Sequence, residues 1–114
     1  MIGDSTIDAL RVGLNGLSLR RQASEDAVAN METPGYIANR VDFEDQLASA
    51  IESGDPFSAT PSITKTTDAA LPNGNNVQVD QELMGLSDTE LRQQLLVEAV
   101  NAKFRLLRTS ILGQ

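Results

Sequence analysis

The sequence predicts a mainly α-helical chain. Its N- and C-terminal segments form an antiparallel two-helix coiled coil around a small irregular middle region, which holds a short helix and either a β-hairpin or a loop. Three observations predict this. Both ends carry apolar residues at alternating three- and four-residue steps. The stretch between them is rich in Ser, Thr, Pro, Gly and Asn. Thr33-Pro34-Gly35-Tyr36 stops the first helix firmly enough to turn the chain back. The segments are 1–33, 34–79 and 80–114.

From Asp4 the first helix places Ile7, Leu10, Leu14, Leu17, Val28 and Met31 on one heptad grid, interrupted at Arg21 and Ser24. Asp4 or Ser5 is suited to cap its first turn, and Asp8 to sit near the positive end of its dipole. Gly13 and Gly16 each weaken a helix interior by roughly 1 kcal/mol relative to Ala, yet leave room for a neighbouring helix. Such a stripe serves as an intramolecular core or as a seam between molecules.

At the stop, Pro34 disfavours helix at Thr33. Pro in second place and Gly in third suit a type II turn, whose third residue needs positive φ. Tyr36 then closes the end of the helical hairpin or anchors a neighbouring subunit. Next, Asp42 is placed to cap a short helix through Phe43, Leu47 and Ile51. Gly54 ends it and Pro56 prevents its resumption. In residues 57–79, Ser62–Thr66 and Val77–Val79 alternate as two short strands do, with Asn73-Gly74 as the turn between them. The same composition also suits a mobile loop.

The second terminal helix runs from about Asp80 to Leu112. Its grid is Val79, Leu83, Leu86, Val97, Val100, Phe104, Leu107 and Ile111, interrupted at Glu90 and Gln93. Ser87-Asp88-Thr89-Glu90 is a capping-box pattern after Gly85, so the helix begins or restarts there. Lys103, Arg105 and Arg108 offset the negative end of its dipole. Folding the ends together places Ile7 near Ile111, Leu14 near Phe104 and Ser24 near Gln93. That pairs polar interruption with polar interruption over a coiled coil of about 40 Å.

Composition narrows the function. The 114 residues are 40% hydrophobic and only 4% aromatic, so an isolated core is thin and partners supply part of the stability. Without Cys or His, disulfides, thiolate zinc sites, Cys nucleophiles and Ser-His-Asp triads are excluded. The net charge is −7, with eight acids against two bases in residues 32–80. Such a surface repels phosphate, which disfavours nucleic acid and direct binding to anionic lipid. No apolar run approaches the roughly 20 residues of a membrane span, and "MIGDSTIDAL" lacks the basic and apolar regions of a cleaved signal. Asp42, Glu44 and Asp45 form the densest acidic group. Asp42 and Asp45 share a helix face while Glu44 points elsewhere, and neither this group nor Asn73–Asp80 matches an EF-hand loop. No Gly-rich run has phosphate-cradling spacing. Neither a catalytic, metal nor cofactor site is expected.

The stretch "AVANMETPGYIANRVDFEDQL" resembles the segment after the N-terminal helix in the axial proteins of the bacterial flagellum, in which an Asn-rich helix end runs into Thr-Pro-Gly-Tyr. The stretches "VDFEDQLASAI", "NGNNVQVDQELMGLSDTELRQQLLVEAVNAKF" and "FRLLRTSI" narrow the resemblance to the proximal rod proteins of the basal body, over nearly the whole chain. Ala27 departs from the pattern, where the family often has Asn, and the middle segment is short.

The resemblance implies a structural subunit rather than an enzyme, needing no cofactor. Such proteins pass through the flagellar type III export apparatus without a cleaved signal. They assemble in the periplasm into the rod that carries torque from motor to hook, their terminal helices lining the export channel. Expected partners are further copies of the chain, the rod proteins FlgC, FlgF and FlgG, and the junction protein FliE. The grid residues Ile7, Leu10, Leu14, Leu17, Val28, Met31, Val97, Val100, Phe104, Leu107 and Ile111 are then the assembly residues. Asn30, Thr33, Pro34, Gly35 and Tyr36 form the turn motif. Two other readings compete: an acidic helical-hairpin adaptor or secretion chaperone that stays in the cytosol, and a carboxylate-dependent hydrolase using Asp42, Glu44 or Asp45.

Overall fold

The computed structural model describes residues 2–113. Its elements in chain order are α1 (Ile2–Ala29), β1 (Asn39–Asp42), α2 (Glu44–Glu52), a single 3-10 turn (Pro56–Ser58), β2 (Ser62–Lys65) and α3 (Val79–Leu112). The molecule measures 64 × 26 × 14 Å. α1 and α3 lie side by side and antiparallel; β1, α2 and the 3-10 turn pack against α1, and β2 pairs with β1.

α1 begins at Ile2, so Asp4, whose side chain lies outside the described residues, and Ser5 fall inside the helix and not at its cap position. No proline precedes them, and Gly3 costs a helix only about 1 kcal/mol. The helix closes at Ala29, after which the Asn30 N–H donates to the carbonyls of Asp26 and Ala27, both at 3.1 Å. The Thr33–Tyr36 turn follows: the Tyr36 N–H donates to the Thr33 carbonyl at 3.2 Å, and Gly35 takes φ +74°.

The chain then enters β1, which pairs antiparallel with β2 in the register Asn39↔Lys65 to Asp42↔Ser62. This corrects the expected hairpin. Ser62–Lys65 is a strand, but its partner is 39–42. Val77–Val79 is not a strand, since Val79 opens α3. β1 carries one apolar residue, Val41, which is buried while its neighbours are not.

Asp42 ends β1 and does not cap α2. The cap position belongs to Phe43, with no side-chain cap bond. The expected stop at Gly54 takes a specific form. Gly54 has φ +83°; its N–H donates to Ile51 O at 3.0 Å and the Asp55 N–H to Ala50 O at 3.0 Å, the paired bonds of a Schellman motif.

α3 runs unbroken through Ser87–Glu90, so the capping box is not used. Gly85 sits beside Ser24 of α1, with an added Cβ 4.0 Å from Ser24 Oγ, and Thr89 is almost fully buried. A helix held on both sides of Ser87 has no reason to restart there. α3 ends at Gly113, whose φ of +69° lets its N–H donate to Thr109 O.

The α1–α3 register differs from the expected one. An added Cβ on Gly13 would meet Leu96 Cδ1 at 3.1 Å, and Gln93 Nε2 donates to Ser18 Oγ at 3.4 Å. Leu14 therefore does not face Phe104, nor Ser24 Gln93; α3 is displaced by about two helical turns. The contact face is also rotated off the leucine grid. On α1 it is Gly13, Gly16, Leu17, Ser24 and Ala27 that are buried. On α3 it is Thr89, with Gln93, Leu96, Val100, Lys103 and Leu107 half-buried. Small residues let the backbones approach, which larger grid residues would prevent. The buried apolar set is correspondingly slight: Leu17, Ala27, Ala38, Val41, Phe43 and Ala50.

Candidate assembly surface

Two internal junctions hold the ends of the fold, and they determine which surfaces are left over. The first joins the Thr33–Tyr36 turn to the loop before α3. Helix C-termini leave carbonyls without partners, and an Asn side chain offers two donors and an acceptor together. Asn75, fully buried, donates through Nδ2 to Asn30 O and to Thr33 O, each at 2.8 Å, and its Oδ1 accepts from the Val77 N–H at 2.8 Å. Asn76, also buried, accepts from the Ala38 N–H at 2.8 Å and donates to Thr66 Oγ1 at 2.8 Å. The Gly35 N–H donates to Asn73 O at 2.9 Å. Gly74, at φ +86°, packs so closely on Gly35 that an added Cβ would lie 3.2 Å from the Gly35 Cα. Asn30 turns its own side chain inward, Nδ2 to Asp26 O at 2.8 Å, while Thr33 Oγ1 donates to Asn30 Oδ1 at 3.0 Å. Tyr36 is half-buried here. Burial pushes its hydroxyl pKa up, and the charges of Asp26 and Glu82 add to the shift.

The second junction docks α2 onto α1. Gly16 admits the Phe43 ring so closely that a Cβ there would fall 2.5 Å from Phe43 Cγ. The Arg20 guanidinium lies over that ring, 4.9 Å from its centroid. Arg20 also donates to Val41 O through Nε at 3.1 Å and Nη2 at 2.8 Å, and grips Glu44 through both terminal nitrogens at 2.6 and 2.7 Å. That hydrogen-bonded pairing holds the Glu44 carboxyl down at about 2 and raises the Arg20 pKa. Arg92 of α3 reaches Glu44 as well, at 3.7 Å. Glu44 is thus engaged in structure, and Asp42 pairs with Arg40 at 3.4 Å. Among the described residues, no three acidic side chains come together to hold a metal.

These junctions use one side of each terminal helix, leaving a large apolar surface. Of the grid residues, Leu17 is 3% exposed and committed to the interior. Ile7, Leu10, Leu14, Val28, Val100 and Leu107 are half-buried. Met31, Val97, Phe104 and Ile111 are exposed, Phe104 at 54% and Ile111 at 82%. Leu91, Leu95, Leu106 and Leu112 of α3 are exposed too, though they lie off the grid. In its C-terminal half α3 leaves Val97, Phe104, Leu106, Ile111 and Leu112 exposed among its charged and polar residues. A helix of this kind belongs in an interface.

The spacing of apolar residues did not single out Arg20, Asn73, Asn75 or Asn76. For the asparagines the readable signal is three amides around one glycine, close in space to a helix end with free carbonyls. For Arg20 it is a cation four residues before the polar interruption at Ser24, on a face that carries Gly16.

The geometry leaves apolar helical faces bare, and known proteins show the family. The chain is 34% identical to the flagellar basal body rod protein FlgB of Bacillus subtilis over 95% of its own length and 94% of the relative's. The chain belongs to the FlgB family of flagellar basal body rod proteins. FlgB of Escherichia coli is 26% identical over 85% of the chain and 88% of its own length. FlgB of Yersinia enterocolitica is 28% identical over 80% and 84%. No protein-family model matches the sequence. The chain is therefore a structural protein of the flagellar basal-body rod.

Proposed function

We propose that this rod protein polymerises through its terminal helices, packed as an antiparallel coiled coil around the export channel, and carries torque along the rod. Segments 1–33 and 80–114 are the polymerising units, and 34–79 is the insert braced between them. In this reading its partners are further copies of itself, the rod proteins FlgC, FlgF and FlgG, the junction protein FliE and the type III export apparatus that delivers it to the periplasm without a cleaved signal.

One observation carries the reading: the run of exposed large apolar residues along α3, from Leu91 through Phe104 and Leu106 to Ile111 and Leu112. Burying each such side chain contributes about 1.5–3 kcal/mol, so a few of them outweigh the ordering cost of assembly. A thin interior suits a chain that must be delivered incompletely folded and then complete its core from neighbours. The assembly set is Ile7, Leu10, Leu14, Val28, Met31, Val97, Val100, Phe104, Leu107 and Ile111, with Leu17 acting from inside. The turn motif Asn30, Thr33, Pro34, Gly35 and Tyr36 fixes the angle between the two segments.

The test is motility and basal-body occupancy of Leu14→Asp and Phe104→Asp. Both are expected to abolish swimming and to leave the chain out of purified basal bodies, with the circular dichroism of soluble Phe104→Asp matching the parent. Wild-type motility in both variants would refute the proposal.

A further inference from the structure

α1, α2 and α3 enclose an open apolar groove of about 380 Å³, floored by Leu10, Gly13 and Leu17 and walled by Leu47 and Ile51 on one side and Leu95 and Leu96 on the other. Because α3 itself forms one wall and is continuous to Leu112, its own C-terminal turns cannot fold back into the groove. An occupant drawn from α3 therefore has to belong to another copy.

Charge selects the occupant. Of the acids of α2, Glu44 lines the groove and is held by Arg20 and Arg92, while Asp45 and Glu52 lie beyond the lining, in reach of a long basic side chain on an occupant; α2 carries no base, and Asp55 follows it. From Ala99 onward α3 carries Lys103, Arg105 and Arg108 with no acid. Among the described residues, Asp45, Glu52, Arg105 and Arg108 form no ion pair. Size agrees as well. Phe104 and Ile111 lie seven residues apart on one face, about 10 Å along the helix, within the roughly 13 Å that nine residues of α2 span.

We propose that the C-terminal turns of α3 from one copy seat in this groove on the next, with Phe104 and Ile111 as anchors and Arg105 and Arg108 against the acidic side of α2. The inference rests on the assembly reading above and names the contact within it. Such a contact joins two different surfaces, so it propagates as an open series instead of closing as a two-fold dimer. It is the helix-in-groove mode of recognition, with anchors at i and i+7.

The chain has no cysteine, so introduced ones report without background. Cells carrying Ile51→Cys with Ile111→Cys in one chain are expected to yield, on oxidation of purified basal bodies, a ladder of crosslinked dimers and higher species. Each single variant is expected to give none, as is the control pair Ile63→Cys with Ile111→Cys. Reversing Arg105 and Arg108 to Glu should remove the ladder, and adding Asp45→Arg with Glu52→Arg should restore it. The groove contact is overturned if the chain is present in basal bodies but crosslinks no more than the control pair. It is equally overturned if Ile111→Cys alone forms dimers, or if charge reversal leaves the yield unchanged. Absence of the parent chain from basal bodies would instead overturn the assembly reading, and this inference with it.

Discussion

At one end of the molecule the last turn of α1, the Thr33–Tyr36 turn and the Asn73–Asn76 loop interlock through two buried amides and a glycine-on-glycine contact. At the other, α3 runs past α1 with Phe104, Leu106, Ile111 and Leu112 uncovered. The first end is satisfied within the chain, chiefly by hydrogen bonds; the second exposes large apolar side chains that the described residues do not cover. Directional bonds fix one geometry, and they suit the end that sets how the two helices meet. Apolar surface is less directional, and it suits the end that awaits a neighbour.

Substitutions should therefore split by region, large effects on monomer stability at the knotted end and small ones at the bare end. The largest is expected for Asn75→Ala. It leaves two carbonyls and an N–H unpaired in a buried site, a cost of about 3 kcal/mol that denaturant titration would read as loss of most of the folded population. A shift of under about 0.5 kcal/mol would show that water replaces the amide, and the contrast between ends would blunt. Next comes Arg20→Ala, which removes the clamp on Val41 O and Glu44 together with its cover over Phe43. We expect about 2 kcal/mol and increased protease sensitivity in α2. Gly16→Leu should give about 1–3 kcal/mol in the same direction by forcing the Phe43 ring out of its seat.

A smaller effect concerns pH. The folded Glu44 carboxyl is depressed to about 2 from an ordinary value near 4.5. Its contribution is present above the unfolded value and is lost as pH falls from about 5 toward 2. Because the Glu44 side chain is 47% exposed, solvent screening keeps that contribution modest. Glu44→Gln should flatten acid unfolding in that window, and an unchanged pH profile would count against the Arg20 clamp. The smallest effect on the isolated chain is expected for Phe104→Ser, within about 0.5 kcal/mol of the parent by denaturant titration.

The sequence made the two long helices legible because each carries apolar residues at helical spacing, and the hairpin end legible because Pro34 and Gly35 admit few conformations. The register was not legible, for a physical reason. Leucine periodicity marks a face that is to be buried without saying whether the monomer or the assembly buries it. The face joining α1 to α3 is instead built around Gly13, Ser24, Gly85 and Thr89, which carry little periodic signal. β1 escaped notice because Asn39-Arg40-Val41-Asp42 offers one apolar residue, and a strand so short is defined by its partner. Asn75 and Asn76 read as loop because their roles depend on distant groups, the Asn30 and Thr33 carbonyls more than forty positions from Asn75 and the Ala38 N–H for Asn76. The assembly residues divide accordingly, with Leu17 consumed inside the chain and Phe104 and Ile111 left outside.

The central claim is that α3's bare face is covered only when subunits assemble. Phe104→Cys, in a chain otherwise free of thiols, measures this through its rate of alkylation in the purified monomer and in intact basal bodies. Fast labelling in the monomer and strong protection in the basal body is the predicted result; equal rates in the two would contradict it.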